Sequence, residues 1–156
     1  MGRQIVKGLA MVMLLLTLAL ATAVATANGQ GRHAVAGKVP FEFIVGDKTL
    51  AAGQYNMRVI GDAGQALSIQ SADAKNRAIR LTNATAPQRD KRAKLVFHRY
   101  GNTYFLSEVS EGGGEGGWHL NKSKQERAME RELNRIAANR DTRNVYEEVV
   151  ILATNR

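Results

Sequence analysis

His98 has the surroundings best suited to chemistry in this sequence, because it lies inside a dense run of apolar and aromatic residues. An imidazole can act as a general base or bind a metal ion. Alternation along a strand would place His98 on one face with Val96 and Tyr100, opposite Phe105. We therefore interpret His98 as a packed, hydrogen-bonded core residue, and a small hydrolase built around it remains an alternative.

The other candidate groups are scattered. His33 and His119 lie far from His98 in the sequence and show no metal-ligand spacing, and the chain has no cysteine. The glycines of Gly112–Gly117 are not followed by the lysine of a phosphate-binding loop. We predict neither a metal site nor a cofactor.

The sequence also shows no arrangement typical of acid–base or nucleophilic catalysis. Glu108, Glu111 and Glu115 lie in or next to a glycine-rich segment that would not hold two carboxylates at a fixed distance. Ser107 and Ser110 lack the strand-to-helix turn of a nucleophile elbow. These absences predict that the protein is not an enzyme.

Basic residues form the feature that most suggests a partner. Four of them fall on one side of a predicted late helix, at about 100° per residue, opposite Met129, Leu133 and Ile136. This basic stripe consists of Lys124, Arg127, Arg131 and Arg135. A second cluster lies in a predicted loop and consists of Arg89, Lys91, Arg92 and Lys94. An anionic surface or polysaccharide would suit the stripe, although an ordinary solvated face is the more common meaning of such a pattern, and nothing indicates specific nucleic-acid binding.

The elements that would position these residues are mostly short strands. Period-2 alternation and turn residues predict strands at Val39–Val45, Gln54–Ile60, around Leu67–Ile69, around Ile79–Leu81, at Leu95–Tyr100, at Thr103–Val109 and at Val145–Ala153. Such spacing is typical of a mainly β fold, an antiparallel sandwich or small barrel of about six to eight strands. The sequence does not distinguish a sandwich from a barrel.

The clearest local structure is a hairpin around Gly101-Asn102, whose first glycine suits a type II′ turn. That turn predicts the pairs Tyr100–Thr103, Arg99–Tyr104, His98–Phe105 and Phe97–Leu106. Apolar residues on both faces indicate a hairpin inside the sheet rather than at its edge.

The segments that follow the hairpin are a glycine-rich stretch and one helix. Ser110–Gly117 is predicted to be a flexible loop, because glycine loses the most backbone entropy on ordering. Ser123 and Glu126 have the spacing of a capping box, so we predict an amphipathic helix near residues 123–138.

The N-terminal segment has the layout of a secretory signal peptide. Arg3 and Lys7 precede an apolar run that is too short for a membrane-spanning helix, and small residues follow it. Residues 1–27 are therefore predicted to be cleaved, residues 28–38 to be a flexible lead-in, and residues 39–156 to form a single β-rich domain. We expect a secreted or periplasmic protein that does not span a membrane after cleavage.

Charge and export together define the expected function only broadly. The chain has a net charge of +8, and loss of Arg3 and Lys7 would leave +6. We interpret the protein as an exported, non-catalytic β-domain that binds or packs in the cell envelope or outside the cell. A self-associating structural subunit is the alternative, with an exposed last strand as its contact; the oligomeric state does not follow from the sequence.

Three segments carry a resemblance to other proteins. They are Val39–Gly46, Leu50–Tyr55 and Leu95–Ser107, with Lys122-Ser123 and the start of the helix after them. The chain resembles a group of small, signal-bearing secreted bacterial proteins of uncharacterised role that share "VPF-F-VG", "L-AG-Y" and "FHRYG--YFL" motifs. The resemblance implies export and brings no activity with it.

Overall fold

The structure is a computed structural model that describes residues 34–61, 65–87, 92–114, 116–137 and 145–155. The predicted signal peptide lies outside the described residues. The described chain is mainly β, with one helix near its C-terminal end. No helix in these ranges is long and apolar enough to cross a membrane.

Eleven strands and one helix, α1, occur in the described residues. In chain order they are β1 (Ala34–Val39), β2 (Phe43–Val45), β3 (Lys48–Leu50), β4 (Gly53–Ile60), β5 (Ala66–Ser71), β6 (Arg77–Thr85), β7 (Lys94–Tyr100), β8 (Thr103–Ser110), β9 (Gly117–Leu120), α1 (Lys124–Ala137), β10 (Glu147–Leu152) and β11 (Thr154–Asn155). The prediction of a mainly β fold with one C-terminal helix is confirmed.

The strands follow one path, β10-β7-β8-β9-β6-β5-β4-β1-β11, and β2 and β3 attach beside β8. Pairing along this path is antiparallel, whereas β2 meets β8 in parallel at Ile44 and Phe105. Strand β6 pairs with β5 through its first half and with β9 through its second. The C-terminal segment likewise pairs with β7 through β10 and with β1 through β11. The two ends of the path are therefore joined by one continuous segment, as in a sandwich or barrel-like arrangement.

The predicted flexible lead-in is wrong for residues 34–38, because they belong to β1. This strand pairs with β4 along its whole length, from Ala34 opposite Arg58 to Val39 opposite Gly53. Its small residues give no alternating sequence signal, yet Val35 is buried. A Cβ atom at Gly37 would lie 2.8 Å from the side chain of Leu95, so the buried leucine would have to shift if the glycine were replaced.

The predicted strand Val39–Val45 is interrupted. Strand β1 ends at Val39, β2 begins at Phe43, and Pro40 lies between them. Proline has no N–H to donate to a ladder, which explains the break. Phe43 and Val45 are still buried, so the alternating pattern correctly predicted the inward side chains.

The β7–β8 hairpin has all four predicted residue pairs, and both strands lie inside the sheet path. Its inner face contributes Phe97 and Leu106 to the core. The register shifts between Val96 and Phe97, because Phe97 is opposite Leu106 whereas Val96 is opposite Glu108. Ser107 is thus the extra residue of a β-bulge, a feature that redirects side chains.

The glycine-rich stretch is more ordered than predicted. Glu111 is buried, and Gly117 begins β9 opposite Thr85 of β6 and Ser110 of β8. A side chain at Gly117 would meet the carbonyl oxygen of Val109. Glycine here permits close approach of backbones, so the flexible-loop prediction is wrong at this end of the segment.

The helix begins with half of the predicted capping box. Ser123 Oγ accepts a hydrogen bond from the Glu126 backbone N–H at 3.0 Å, as expected. The Glu126 carboxylate instead contacts side chains of the hairpin. Met129 and Leu133 pack against a small cluster around Phe105. Ile136, predicted to face the sheet, is 63% exposed, because it lies beyond the part of the helix that covers the sheet.

Candidate functional site

Three side chains from separate elements form a buried hydrogen-bonded relay. Glu126 Oε1 lies 2.7 Å from Nδ1 of His98, and Nε2 of His98 lies 2.9 Å from Oγ of Ser107. The exposed fractions are 4% for Glu126 and 5% for each of His98 and Ser107. We call Ser107, His98 and Glu126 the relay. The prediction that His98 is a packed, hydrogen-bonded residue is confirmed.

The chemistry of the groups assigns the protons. An ionised carboxylate only accepts hydrogen bonds, so Nδ1 of His98 must donate to Glu126. In a neutral imidazole the other nitrogen then accepts, so the hydroxyl of Ser107 donates to Nε2. Nε2 of His98 therefore accepts the hydrogen bond of the Ser107 hydroxyl and is positioned to take its proton.

Local structure accounts for the position of each member. His98 points away from the core because its neighbour Phe97 points into it. Ser107 lies two residues after Phe105, which faces the same side as its cross-strand partner His98, so alternation puts Ser107 on that outer face as well. Glu126 lies in the first turn of α1, where unpaired backbone N–H groups favour a negative charge.

Aromatic rings surround the relay. The hydroxyl of Tyr100 lies 3.4 Å from the same oxygen of Glu126 that contacts His98. The ring of Tyr146 lies against the imidazole, with centroids 4.2 Å apart. Lys122 Nζ lies 4.9 Å from the centroid of the Tyr146 ring. The same atom forms a 2.6 Å ion pair with Glu130. The relay is therefore shielded from water on the helix side.

We expect the protein to lose stability in alkaline solution because of Tyr100. Burial, followed by the charges of Glu126 and Glu130, raises the pKa of Tyr100 above its ordinary value of 10.0. The unfolded chain therefore releases this proton at a lower pH than the folded protein, so the stability is full below about pH 10 and declines above it. The decline is at most about 1.4 kcal/mol per pH unit for one group. Urea unfolding between pH 8 and pH 12 measures it.

Tyr100→Phe is the matching variant, and its stability should fall less steeply with pH because the titrating hydroxyl is gone. Burial also raises the pKa of Tyr55. Tyr55 is present in both proteins, so its effect on the pH dependence of stability is the same in each. Parallel pH profiles of the two proteins would contradict this assignment to Tyr100.

A cleft of about 530 Å³ opens beside the relay on the outer face of the sheet. His98 and Ser107 form part of its wall. The remaining lining residues carry charges of both signs or are apolar: Lys94, Val96, Glu108, His119, Lys122, Tyr146, Glu148 and Val150. Cross-strand pairing places Glu148 opposite His98 and Glu108 opposite His119. A small polar molecule in this cleft would contact the serine–histidine end of the relay.

The basic stripe lies on the side of α1 that faces away from the sheet. Lys124, Arg127, Arg131 and Arg135 are all exposed. Two of them have partners on their own segment, since Arg127 donates to the carbonyl oxygen of Lys122 at 2.7 Å and Arg135 contacts Glu132 at 2.8 Å. The structure thus places the four residues on one solvent-facing side of the helix, as the sequence spacing predicts.

The second predicted cluster is not one surface in the described residues. Arg89 and Lys91 lie outside the described residues. Arg92 is exposed just before β7, whereas Lys94 is partly buried and lines the cleft.

His33 and Glu115 also lie outside the described ranges. Where side chains are described, no group of three histidine, aspartate or glutamate residues could hold a metal ion.

Sequence reasoning missed Ser107 and Glu126 as partners of His98. Ser107 was judged by the nucleophile-elbow pattern, which a bulge in a strand does not show. Glu126 was assigned to the capping box, although its carboxylate reaches His98. No local pattern signals these two contacts, because each joins residues of different elements.

Comparisons with protein-family models, curated proteins and solved structures give no match to this chain. The functional argument therefore rests on the geometry of the described residues.

Proposed function

We propose that this protein is an exported β-domain that binds polyanions through the basic stripe of α1. The observation that carries the proposal is that all four stripe residues are exposed on the side of α1 opposite its sheet-facing residues. The stripe is therefore not required to close the core. The layout of the N-terminal segment supports export.

The physical basis of binding is summed electrostatic attraction rather than a pocket. Lys124 and Arg135 are eleven residues apart, so the stripe extends about 16 Å along the helix. Exposed charges at this spacing act together on a polyanion at low salt and are screened beyond about 8 Å at physiological ionic strength. The net charge, +8 for the full chain and +6 without Arg3 and Lys7, adds a long-range attraction of the same sign.

Replacing the three stripe arginines tests the proposal. The variant Arg127→Gln, Arg131→Gln, Arg135→Gln should lose binding to anionic vesicles and to acidic polysaccharide at low salt. Its melting temperature should stay nearly unchanged, because exposed ion pairs contribute only about 0–1 kcal/mol. Vesicle co-sedimentation and polysaccharide affinity gels measure the two kinds of polyanion separately.

A charge-matched variant controls for net charge. Arg58→Gln, Lys75→Gln, Arg77→Gln removes three exposed cations of β4, the β5–β6 turn and β6, and it should bind as the unaltered protein does. Equal loss in both triple variants would show that net charge rather than the stripe binds. Unchanged binding of the stripe variant would contradict the proposal, and a large fall in its melting temperature would assign the arginines to the fold.

A further inference from the structure

We propose that Ser107 is a nucleophile that His98 activates and Glu126 positions, so that the cleft is a site for hydrolysis of small carboxylic esters. This inference departs from the non-catalytic interpretation of the sequence and does not depend on polyanion binding. It rests on the hydrogen-bond order Ser107–His98–Glu126 and on the cleft beside it.

The order and distances of the relay match the requirements of an activated serine. The base nitrogen Nε2 lies within hydrogen-bond reach of Oγ, and the carboxylate binds the opposite nitrogen and so sets the tautomer. Glu126 and His98 are shielded by Tyr146 and Tyr100, so water competes little for these bonds. Such constellations are recognised by geometry rather than by sequence position.

Access to the serine is from the cleft. Ser107 lies in the cleft wall next to His98, while Phe105 and Leu106 remain buried. His119 and Lys122 line the same cleft and are the N–H donors that could face a developing oxyanion. A volume of about 530 Å³ suits a small ester rather than a folded protein surface.

The reaction would proceed in two steps. Ser107 Oγ attacks the ester carbonyl carbon, its proton passes to Nε2 of His98, and the carbon–oxygen bond to the alcohol breaks as that proton passes to the departing alcohol. An acyl-serine remains. Water then attacks the acyl carbon while His98 takes its proton, and the carboxylic acid leaves as Ser107 regains the proton. Atoms balance with the ester and one water consumed and with the alcohol and the acid formed.

A fluorophosphonate probe tests the nucleophile directly, because an activated serine displaces fluoride from phosphorus and retains the phosphonyl group. Intact mass should show one adduct, and peptide mapping should place it on Ser107. Ser107→Ala should give no adduct, whereas Ser110→Ala, which removes another buried serine of the same strand, should still be labelled. Release of nitrophenol from p-nitrophenyl butyrate should be lost in Ser107→Ala and retained in Ser110→Ala.

The variant Glu126→Gln tests whether Glu126 positions His98 for the reaction or only supports the fold. A glutamine amide can donate to Nδ1 and thereby leave the proton on Nε2, so His98 could no longer accept the proton of Ser107. Labelling should slow by about 10²–10⁴-fold, the usual loss of a general base, while the melting temperature falls less than in Glu126→Ala because the amide keeps hydrogen-bonding groups in place. Glu126→Asp should recover part of the rate, because it restores the carboxylate.

Three outcomes would overturn the proposal. The first is folded protein that gives no adduct under conditions that label a known serine hydrolase. The second is an adduct on another residue. The third is equal labelling rates of Glu126→Gln and the unaltered protein, which would reduce the relay to a support of the fold.

Discussion

Glu126→Ala is expected to lower the free energy of unfolding by about 2–5 kcal/mol. Alanine would leave two buried donors, the Nδ1–H of His98 and the hydroxyl of Tyr100, without their common acceptor. A buried polar group without a partner costs about 1–3 kcal/mol. The first turn of α1 would also lose a favourable negative charge. Urea unfolding followed by circular dichroism measures the change.

Glu132→Ala is the control on the same helix. Glu132 is exposed and pairs with Arg135 on the helix surface, so its loss should cost less than about 1 kcal/mol. Similar unfolding midpoints for Glu126→Ala and Glu132→Ala would show that the relay does not hold α1 on the sheet.

Gly117→Ala should destabilise the protein by about 1–3 kcal/mol, the usual cost of added volume in a packed interior. The new methyl group would meet the carbonyl oxygen of Val109 and lie 2.9 Å from Cα of Ser110. Both are backbone atoms, which cannot rotate aside as a flexible side chain would. Strand β9 would therefore have to move away from β8. Thermal and urea unfolding measure the loss.

Gly53→Ala is the matched glycine control. Its methyl group would make only an ordinary 3.7 Å contact with Tyr55, and its backbone angle is not left-handed. We expect a change within about 1 kcal/mol, including a small gain from the less flexible unfolded chain. Equal destabilisation by the two substitutions would mean that the β8–β9 approach tolerates a methyl group.

Prediction of the fold succeeded where neighbouring residues control the geometry. The Gly101-Asn102 turn has a positive φ of 61° at Gly101 alone, as a type II′ turn requires, and the four predicted pairs follow from it. Prediction failed where the partner is distant in sequence. Strand β1 is held by β4, and Gly117 by β8 and β6, and neither has a local pattern that would reveal this.

Of the three relay residues, the sequence pointed only to His98 as a candidate. Alternation placed His98 on the outer face of a strand, which is a local property. Its partners come from 9 and 28 residues farther along the chain. Alternation from Phe105 puts Ser107 on the same face, but its contact with His98 depends on the pairing of two strands.

By itself, the sequence determined a mainly β chain with a signal-like start, one amphipathic helix and an outward basic stripe. Each of these depends on composition or on a period of 2 or 3.6 residues, which the chain carries locally. Only the tertiary structure decided that Glu126 binds His98 rather than completing a capping box. The reason is that a carboxylate accepts from whichever donor the fold brings within reach, and here the fold brings a buried imidazole to 2.7 Å.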